Sequence, residues 1–119
     1  MDQKEKKIYN LEERTAIFGE EVILFCKKVK RGIITDPLIT QLVKAGTIVG
    51  ANYSEADDAV SKKDFRNKIG IVKKESRECK HFIRMIIIAE PEMKEDGKIL
   101  WQEAKELNLI FNAIFKKVT

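Results

Sequence analysis

Hydrophobic residues recur at three- and four-residue intervals along four segments of the chain, which is the spacing of one face of an α-helix. Alternation of apolar and polar residues, which is typical of strands, is nearly absent. The pattern therefore predicts an all-α protein with helices over residues 10–31, 36–58, 62–90 and 97–118. In chain order, the predicted core positions are Leu11, Phe18, Val22, Phe25, Val29, Ile39, Val43, Gly46, Gly50, Tyr53, Phe65, Ile69, Val72, Ser76, Cys79, Ile83, Ile86, Leu100, Ala104, Leu107, Phe111, Ile114 and Val118.

Capping residues and prolines mark the predicted helix ends. The candidate N-caps, whose side chains accept a hydrogen bond from the first turn, are Asn10, Asp36 and Ser61. Pro37 follows Asp36 in the order favoured at a helix start, and Pro91 ends the third helix. Four helices with short connections predict one domain over residues 1–119, an antiparallel up-down-up-down four-helix bundle.

Two glycines and a tyrosine lie on one face of the second predicted helix. Gly46 and Gly50 are four residues apart and Tyr53 follows one turn later, so this stripe lets another backbone approach closely. That partner is either a neighbouring helix of the same chain or a second copy. A second copy is favoured by apolar residues that the core positions leave unused, because exposed apolar surface usually marks association. Those residues are Ile17, Ile23, Leu24, Ile48, Ile71, Phe82 and Ile110.

Polar residues also fall close to the predicted helix contacts. Asn52 and Glu55 follow the glycines, and Glu75 with Glu78 lies in the middle of the third helix. Solvated side chains would explain them, but we favour a hydrogen-bond network between helices, which fixes register at some cost in stability.

Composition changes this picture little. The 119 residues carry a formal net charge of +4, too mild by itself to identify a partner. No apolar run is long enough to span a membrane, and the charged start does not resemble a secretory signal. Cys26 and Cys79 fall at or beside core positions, which favours buried thiols over a disulfide or a metal site. We therefore expect a cytoplasmic protein with no membrane partner.

The local charge on the third helix is more informative. Between Lys62 and Arg84 there are nine basic and three acidic residues. Five of the basic residues each follow a core position by one, so they share one helix face; they are Arg66, Lys73, Arg77, Lys80 and Arg84. Such a stripe can follow a phosphate backbone, although a solvated face with intrahelical ion pairs is the alternative.

The spacing of reactive residues argues against catalysis. His81 is the only histidine, and no cysteine, serine or carboxylate is placed to form an activated nucleophile or base with it. One histidine and two separated cysteines are too few for a metal site. We therefore predict a protein that is not an enzyme and has neither a metal nor a cofactor.

Two long segments carry a family resemblance. "YNLEERTAIFGEEV" and "PLITQLVKAGTIVGANYSEADDAVSKKDFRNKIGIVKKESRECKHFIRMI" resemble the bacterial four-helix bundle family that is encoded by intervening sequences in 23S rRNA genes and labelled as ribosomal protein. "VGANYSEA" is the most specific part. The family is also similar to the accessory variability protein of diversity-generating retroelements, a pentameric bundle that binds RNA and its reverse transcriptase.

The resemblance implies a ring-like homo-oligomer, a pentamer, with a link to RNA and to rRNA in particular. Together with the basic stripe it favours a non-catalytic RNA-binding protein that grips the backbone of structured RNA, because few aromatic residues are placed for base stacking. The alternative is a scaffold or adaptor for another protein, for example a reverse transcriptase, with incidental RNA contact.

Overall fold

Four α helices account for most of the described chain, which in this computed structural model comprises residues 10–118. The helices are α1 (Leu11–Lys28), α2 (Thr35–Asp57), α3 (Lys62–Ala89) and α4 (Lys94–Lys117), and a 3-10 helix, Pro91–Met93, precedes α4. No strand occurs within these residues, so the all-α prediction is confirmed for them. Residues 1–9, which include Tyr9 at the start of the first quoted motif, and Thr119 lie outside the described part.

Two of the three predicted N-caps are confirmed. Asn10 Oδ1 accepts a hydrogen bond from the Glu13 amide at 3.1 Å, and Ser61 Oγ accepts one from the Asp64 amide at 3.0 Å. These bonds satisfy amides that the first turn of a helix leaves without a backbone partner.

The prediction that Asp36 caps α2 is wrong. α2 begins at Thr35, one residue earlier, and Asp36 lies inside its first turn. Its carboxylate accepts hydrogen bonds from the Arg31 guanidinium and the Gly32 amide, and the bond from Arg31 lowers the pKa of Asp36. The side chain thus closes the preceding turn instead of capping the helix.

The predicted ends of α1 and the start of α4 also need correction. α1 stops at Lys28, because Val29 adopts an extended backbone and its amide bonds to the Cys26 carbonyl. α4 begins three residues before Gly97, which is buried in its first turn. A Cβ on Gly97 would lie 2.6 Å from Ile87 Cδ1, so this glycine makes room for α3 and does not break the helix.

One cluster of buried apolar residues joins all four helices. The α3 prediction is accurate, since six of its seven predicted core positions are buried and the seventh, Phe65, is half-buried. The largest fully buried apolar side chains are Phe18, Val22, Leu42, Val49, Ile69, Val72, Ile83, Ile86, Leu107 and Phe111.

The core positions of α2 differ from the prediction. The buried apolar residues there are Leu42, Ala45, Val49 and Ala56, whereas Ile39 and Val43 are only half-buried. α2 packs against both α1 and α3, and small residues occupy the face that meets α1. The stripe of Gly46 and Gly50 faces α1, and the larger side chains fill the rest of the contact.

Buried polar groups of Ser76 and Asn108 connect α3 to α4 near the middle of α3. Asn108 Nδ2 donates to the Lys73 carbonyl at 2.8 Å and to Ser76 Oγ at 3.3 Å. Ser76 Oγ in turn donates to the same carbonyl at 2.9 Å. Because every donor has an acceptor, the pair fixes the register of the two helices without leaving an unpaired buried group.

Both cysteines are free and buried, as the sequence predicts. Burial raises the pKa of the Cys26 thiol from 9.0 to about 11. Burial also raises the pKa of Cys79, with smaller contributions from the Glu75 and Glu78 carboxylates. Neutral, enclosed thiols are poor nucleophiles.

We expect a thiol reagent at pH 8 to label the native protein slowly and the denatured protein quickly. The same raised pKa values make the free energy of unfolding fall as the pH rises from about 9 toward 11, because only the unfolded chain then ionises its thiols. Labelling kinetics with and without denaturant check the first expectation, and thermal melts across that pH range check the second. Rapid labelling of both native thiols would contradict the burial.

Candidate nucleic-acid interface

The five basic residues predicted to form a stripe on α3 divide into two groups. Arg66 and Lys73 are half-buried and contact a side chain of α4. Arg77 and Arg84 are exposed, and they line a groove between α3 and α4 together with half-buried Lys80. The stripe is therefore one continuous helix face with two different surroundings.

The first group is held by Phe115. The Arg66 guanidinium carbon lies 4.2 Å from the centre of its ring, and Lys73 Nζ lies 4.5 Å from it. Gly70 makes room beneath the ring, because a Cβ there would be 3.2 Å from Phe115 Cε1. Cation–π contact holds both cations in place but leaves their charge uncompensated. A carboxylate partner would neutralise that charge. Their positive charge remains available to an anion.

The second group lines the α3–α4 groove, a cleft of about 770 Å³. Its basic lining residues are Arg77, Lys80, Arg84 and Lys98, and its apolar lining residues are Ile87, Ile88 and Trp101. His81 and Gln102 complete the wall. The groove therefore combines positive charge with an aromatic ring, the two features that nucleic-acid binding surfaces share.

No carboxylate lines this groove among the residues that the structure describes. The ion pairs found between residues 10 and 118 likewise leave out Arg77, Arg84 and Lys98. Four basic side chains with no carboxylate among the described lining residues make the groove locally positive, although the net charge of the whole chain is mild. Such a site attracts anions.

Trp101 is a groove residue that the predicted basic stripe does not include. The sequence predicts few aromatic side chains placed for base stacking, but Trp101 lies in the basic groove with Lys80 Nζ 5.9 Å from its ring centre. Its position in the sequence could have identified it. Trp101 comes directly after the core residue Leu100, just as Lys80 comes directly after the core residue Cys79. The flanks of the two packed helices meet in the groove.

The predicted network of Asn52, Glu55, Glu75 and Glu78 is not formed as one unit. Asn52 Nδ2 donates to the Ile48 carbonyl of its own helix at 3.2 Å, while Glu55 accepts from Lys68 Nζ of α3 at 3.0 Å. Burial raises the pKa of Glu75, and a hydrogen bond with Glu78 adds to that rise. Asn108, described above, instead makes a buried polar contact between α3 and α4.

The predicted glycine site lies between two helices of the same chain. A Cβ on Gly46 would be 2.7 Å from Val22 Cγ2, and a Cβ on Gly50 would be 3.2 Å from the Thr15 carbonyl oxygen. Tyr53 is half-buried and its ring centre is 5.5 Å from that of Phe111. Gly46 and Gly50 therefore serve close packing of α1 on α2. Contact of these residues with a second copy of the chain stays a prediction.

No group of three or more His, Cys, Asp or Glu side chains that could hold a metal ion occurs between residues 10 and 118. None of the helices in the described part is long and apolar enough to cross a membrane.

The fold and the groove define an all-helical protein with a concentrated basic surface that contains one tryptophan. No protein-family model matches the chain, and no curated protein matches it. The chain is similar to a crystal structure from Bacteroides thetaiotaomicron, that of a protein of unknown function from the S23 ribosomal protein family. The TM-score is 0.78 at 26% sequence identity, and the match covers 88% of this chain and 97% of that chain.

Proposed function

We propose that this protein binds structured RNA through the α3–α4 groove and the adjoining cluster of Arg66, Lys73 and Phe115, without catalysis. The observation that carries the proposal is a groove lined by four basic side chains and, among the described residues, by no carboxylate. Lys and Arg side chains placed in this way attract phosphates and release their counterions, which is the main source of affinity for nucleic acid. Arginines also grip phosphates with two parallel hydrogen bonds.

The structural neighbour supports the same direction. Its family is named for ribosomal proteins, and ribosomes are built on RNA. We extend this to a proposal that the RNA is ribosomal, as the resemblance to proteins encoded in 23S rRNA intervening sequences implies. The relation to the accessory protein of retroelements belongs to the same proposal.

We further propose that the helices run up-down-up-down in antiparallel order and that copies of the chain form a ring, a homopentamer in the cytoplasm. Exposed apolar residues support association, since water-facing aliphatic side chains gain from contact with another subunit. They include Ile23, Leu24, Ile71, Ile99 and Leu109. Five grooves on one particle would bind a single folded RNA far more tightly than one groove would.

The exposed apolar residues also favour the second candidate, a scaffold for another protein such as a reverse transcriptase. Salt separates the two functions. Binding to phosphates weakens steeply as salt rises, whereas an apolar protein interface changes little.

We expect the double charge reversal Arg77→Glu and Arg84→Glu to lower affinity for a folded rRNA fragment by at least about 100-fold at 0.1 M salt and to flatten the salt dependence. Both side chains are exposed, so helical content and oligomer mass should not change. Fluorescence anisotropy with labelled RNA measures affinity. Light scattering on the same samples should report a multiple of 13.7 kDa.

The matched control reverses two exposed lysines outside the groove, Lys27→Glu and Lys44→Glu. It changes the net charge equally, so any loss caused by net charge alone would appear in both variants. Retained binding in the groove variant, or an equal loss in the control, would contradict the α3–α4 groove as the RNA site. If the unmodified protein binds no RNA at any salt concentration, the scaffold function would be favoured instead.

A further inference from the structure

We infer that the α3–α4 groove takes an unpaired nucleotide, with its base stacked on Trp101 and its phosphates held by Arg77 and Arg84. The inference rests on the proposed function and makes it more specific, since it states which part of an RNA enters the groove. It departs from the expectation that only the backbone is bound.

The state of the Trp101 ring is the first support. The indole is half-buried, and the two ammonium groups near it, those of Lys80 and Lys105, lie 5.9 and 5.7 Å from the ring centre. Both distances are close to the outer limit of cation–π contact, about 6 Å. Each ammonium group therefore lies near the edge of cation–π range, and each has a flexible stem that can move to reach a phosphate.

Comparison with Phe115 sharpens this point. Arg66 and Lys73 lie 4.2 and 4.5 Å from the Phe115 ring, and the ring itself packs over Gly70. Both rings are half-buried, but the cations of Arg66 and Lys73 lie directly over Phe115. Of these two cation–π clusters, only the one at Trp101 opens into a groove that can admit a planar ligand.

The size and lining of the groove suit one nucleotide. Its volume of about 770 Å³ lies within the usual range of small-ligand sites, roughly 300–1,000 Å³. Ile88 is 75% exposed and offers an apolar contact for a base, while His81 and Gln102 offer hydrogen-bonding groups for its edge. The arginines remain for the flanking phosphates.

Base pairing decides which RNA fits. In a duplex the faces of the bases are covered by stacking, so a tryptophan in a groove cannot reach them. An unpaired base in a loop or bulge exposes both faces and can stack on an aromatic ring, which adds affinity whatever the identity of the base. The groove should therefore prefer loops and bulges to continuous helix.

Trp101 is the only tryptophan of the chain, so its fluorescence reports on this site alone. The experiment titrates the full chain with a hairpin RNA that has an adenine-rich loop, and with a fully paired duplex of the same length. We expect the hairpin to quench the fluorescence and to bind about tenfold more tightly, and the duplex to bind without quenching.

Two variants test the role of the ring. Trp101→Leu should lose about tenfold in hairpin affinity and nothing in duplex affinity, whereas Trp101→Phe should retain most of the preference. If Trp101→Leu does not fold, the fluorescence of the unmodified chain still shows whether the hairpin, unlike the duplex, contacts Trp101. Equal binding of both RNAs without quenching would overturn this inference and leave the proposed function intact. Binding of neither RNA would overturn both.

Discussion

Leucine in place of Gly50 is expected to lower the free energy of unfolding by about 3 kcal/mol, because the new side chain would separate α1 from α2. A Cβ at this position would already lie 3.2 Å from the Thr15 carbonyl oxygen and 3.3 Å from its carbonyl carbon. Backbone atoms cannot rotate aside as a flexible side chain can. Urea unfolding followed by circular dichroism measures the change.

Smaller substitutions should give a graded response. Gly50→Ala should be close to neutral, since alanine gains about 1 kcal/mol of helix propensity and loses a similar amount to the tight contact. Gln41→Leu, at an exposed position of the same helix, is the matched control and should change stability by less than about 0.5 kcal/mol. An unchanged midpoint for Gly50→Leu, with a changed oligomer mass, would instead favour contact between copies.

Removal of the buried guanidinium of Arg14 is expected to cost about 3 kcal/mol. Arg14 is only 6% exposed, and its Nε and Nη2 donate to the two oxygens of Glu103, each at 2.8 Å, while Nη2 also donates to Glu106 at 3.2 Å. Arg14→Met keeps the volume but leaves two neighbouring carboxylates without their cation. The hydrogen bonds from Arg14 to Glu103 also raise the pKa of the arginine.

A second substitution and a control identify the cause of that loss. Arg14→Met combined with Glu103→Leu should recover most of the stability, because the partly buried carboxylate is then removed as well. Lys28→Met breaks an exposed ion pair between α1 and α4, with Asp96, in which both side chains are more than half exposed. The loss of stability should stay below about 1 kcal/mol. Equal losses for Arg14→Met and Lys28→Met would contradict a special role for the buried pair.

The sequence predicts the fold best where charged residues leave a helix only one apolar face. On α3, which packs against both α2 and α4, the spacing of apolar residues identifies the buried positions, including Ser76 and Cys79, because most of the remaining positions are charged. On α2 the same reasoning selects Val43 and Gly50 in place of Leu42 and Val49, since apolar and small residues lie on several sides of this helix. Periodicity identifies the buried face only when the other faces are clearly polar.

Two buried polar residues, Arg14 and Asn108, cannot be predicted from local pattern. From the sequence Arg14 would be predicted to lie on the surface. In the structure it is buried against its ion-pair partner Glu103, which lies 89 positions away in the chain. Asn108 is similar, because its acceptor is a backbone carbonyl of another helix. Their burial depends on contacts between distant segments, and no local spacing contains that information.

The candidate site was half predictable for the same reason. The sequence identifies five basic residues that each come directly after a core position of α3. The structure places three of them in one groove. Their separation into two surroundings depends on which α4 residue lies opposite each one. Phe115 and Trp101 decide that difference, and both belong to a helix whose alignment against α3 the sequence leaves open.

The order in which the helices touch has a consequence for how the chain acquires its structure. α1 packs mainly on α2, α2 on α3, and α3 on α4, while α1 and α4 meet only sparsely. Contacts between consecutive segments require little loop-closure entropy, so each helix finds its neighbour as soon as both exist. Folding can therefore proceed in chain order during synthesis, from the N-terminal pair onwards. The Arg14–Glu103 contact would form last, and it would join the first helix made to the last one.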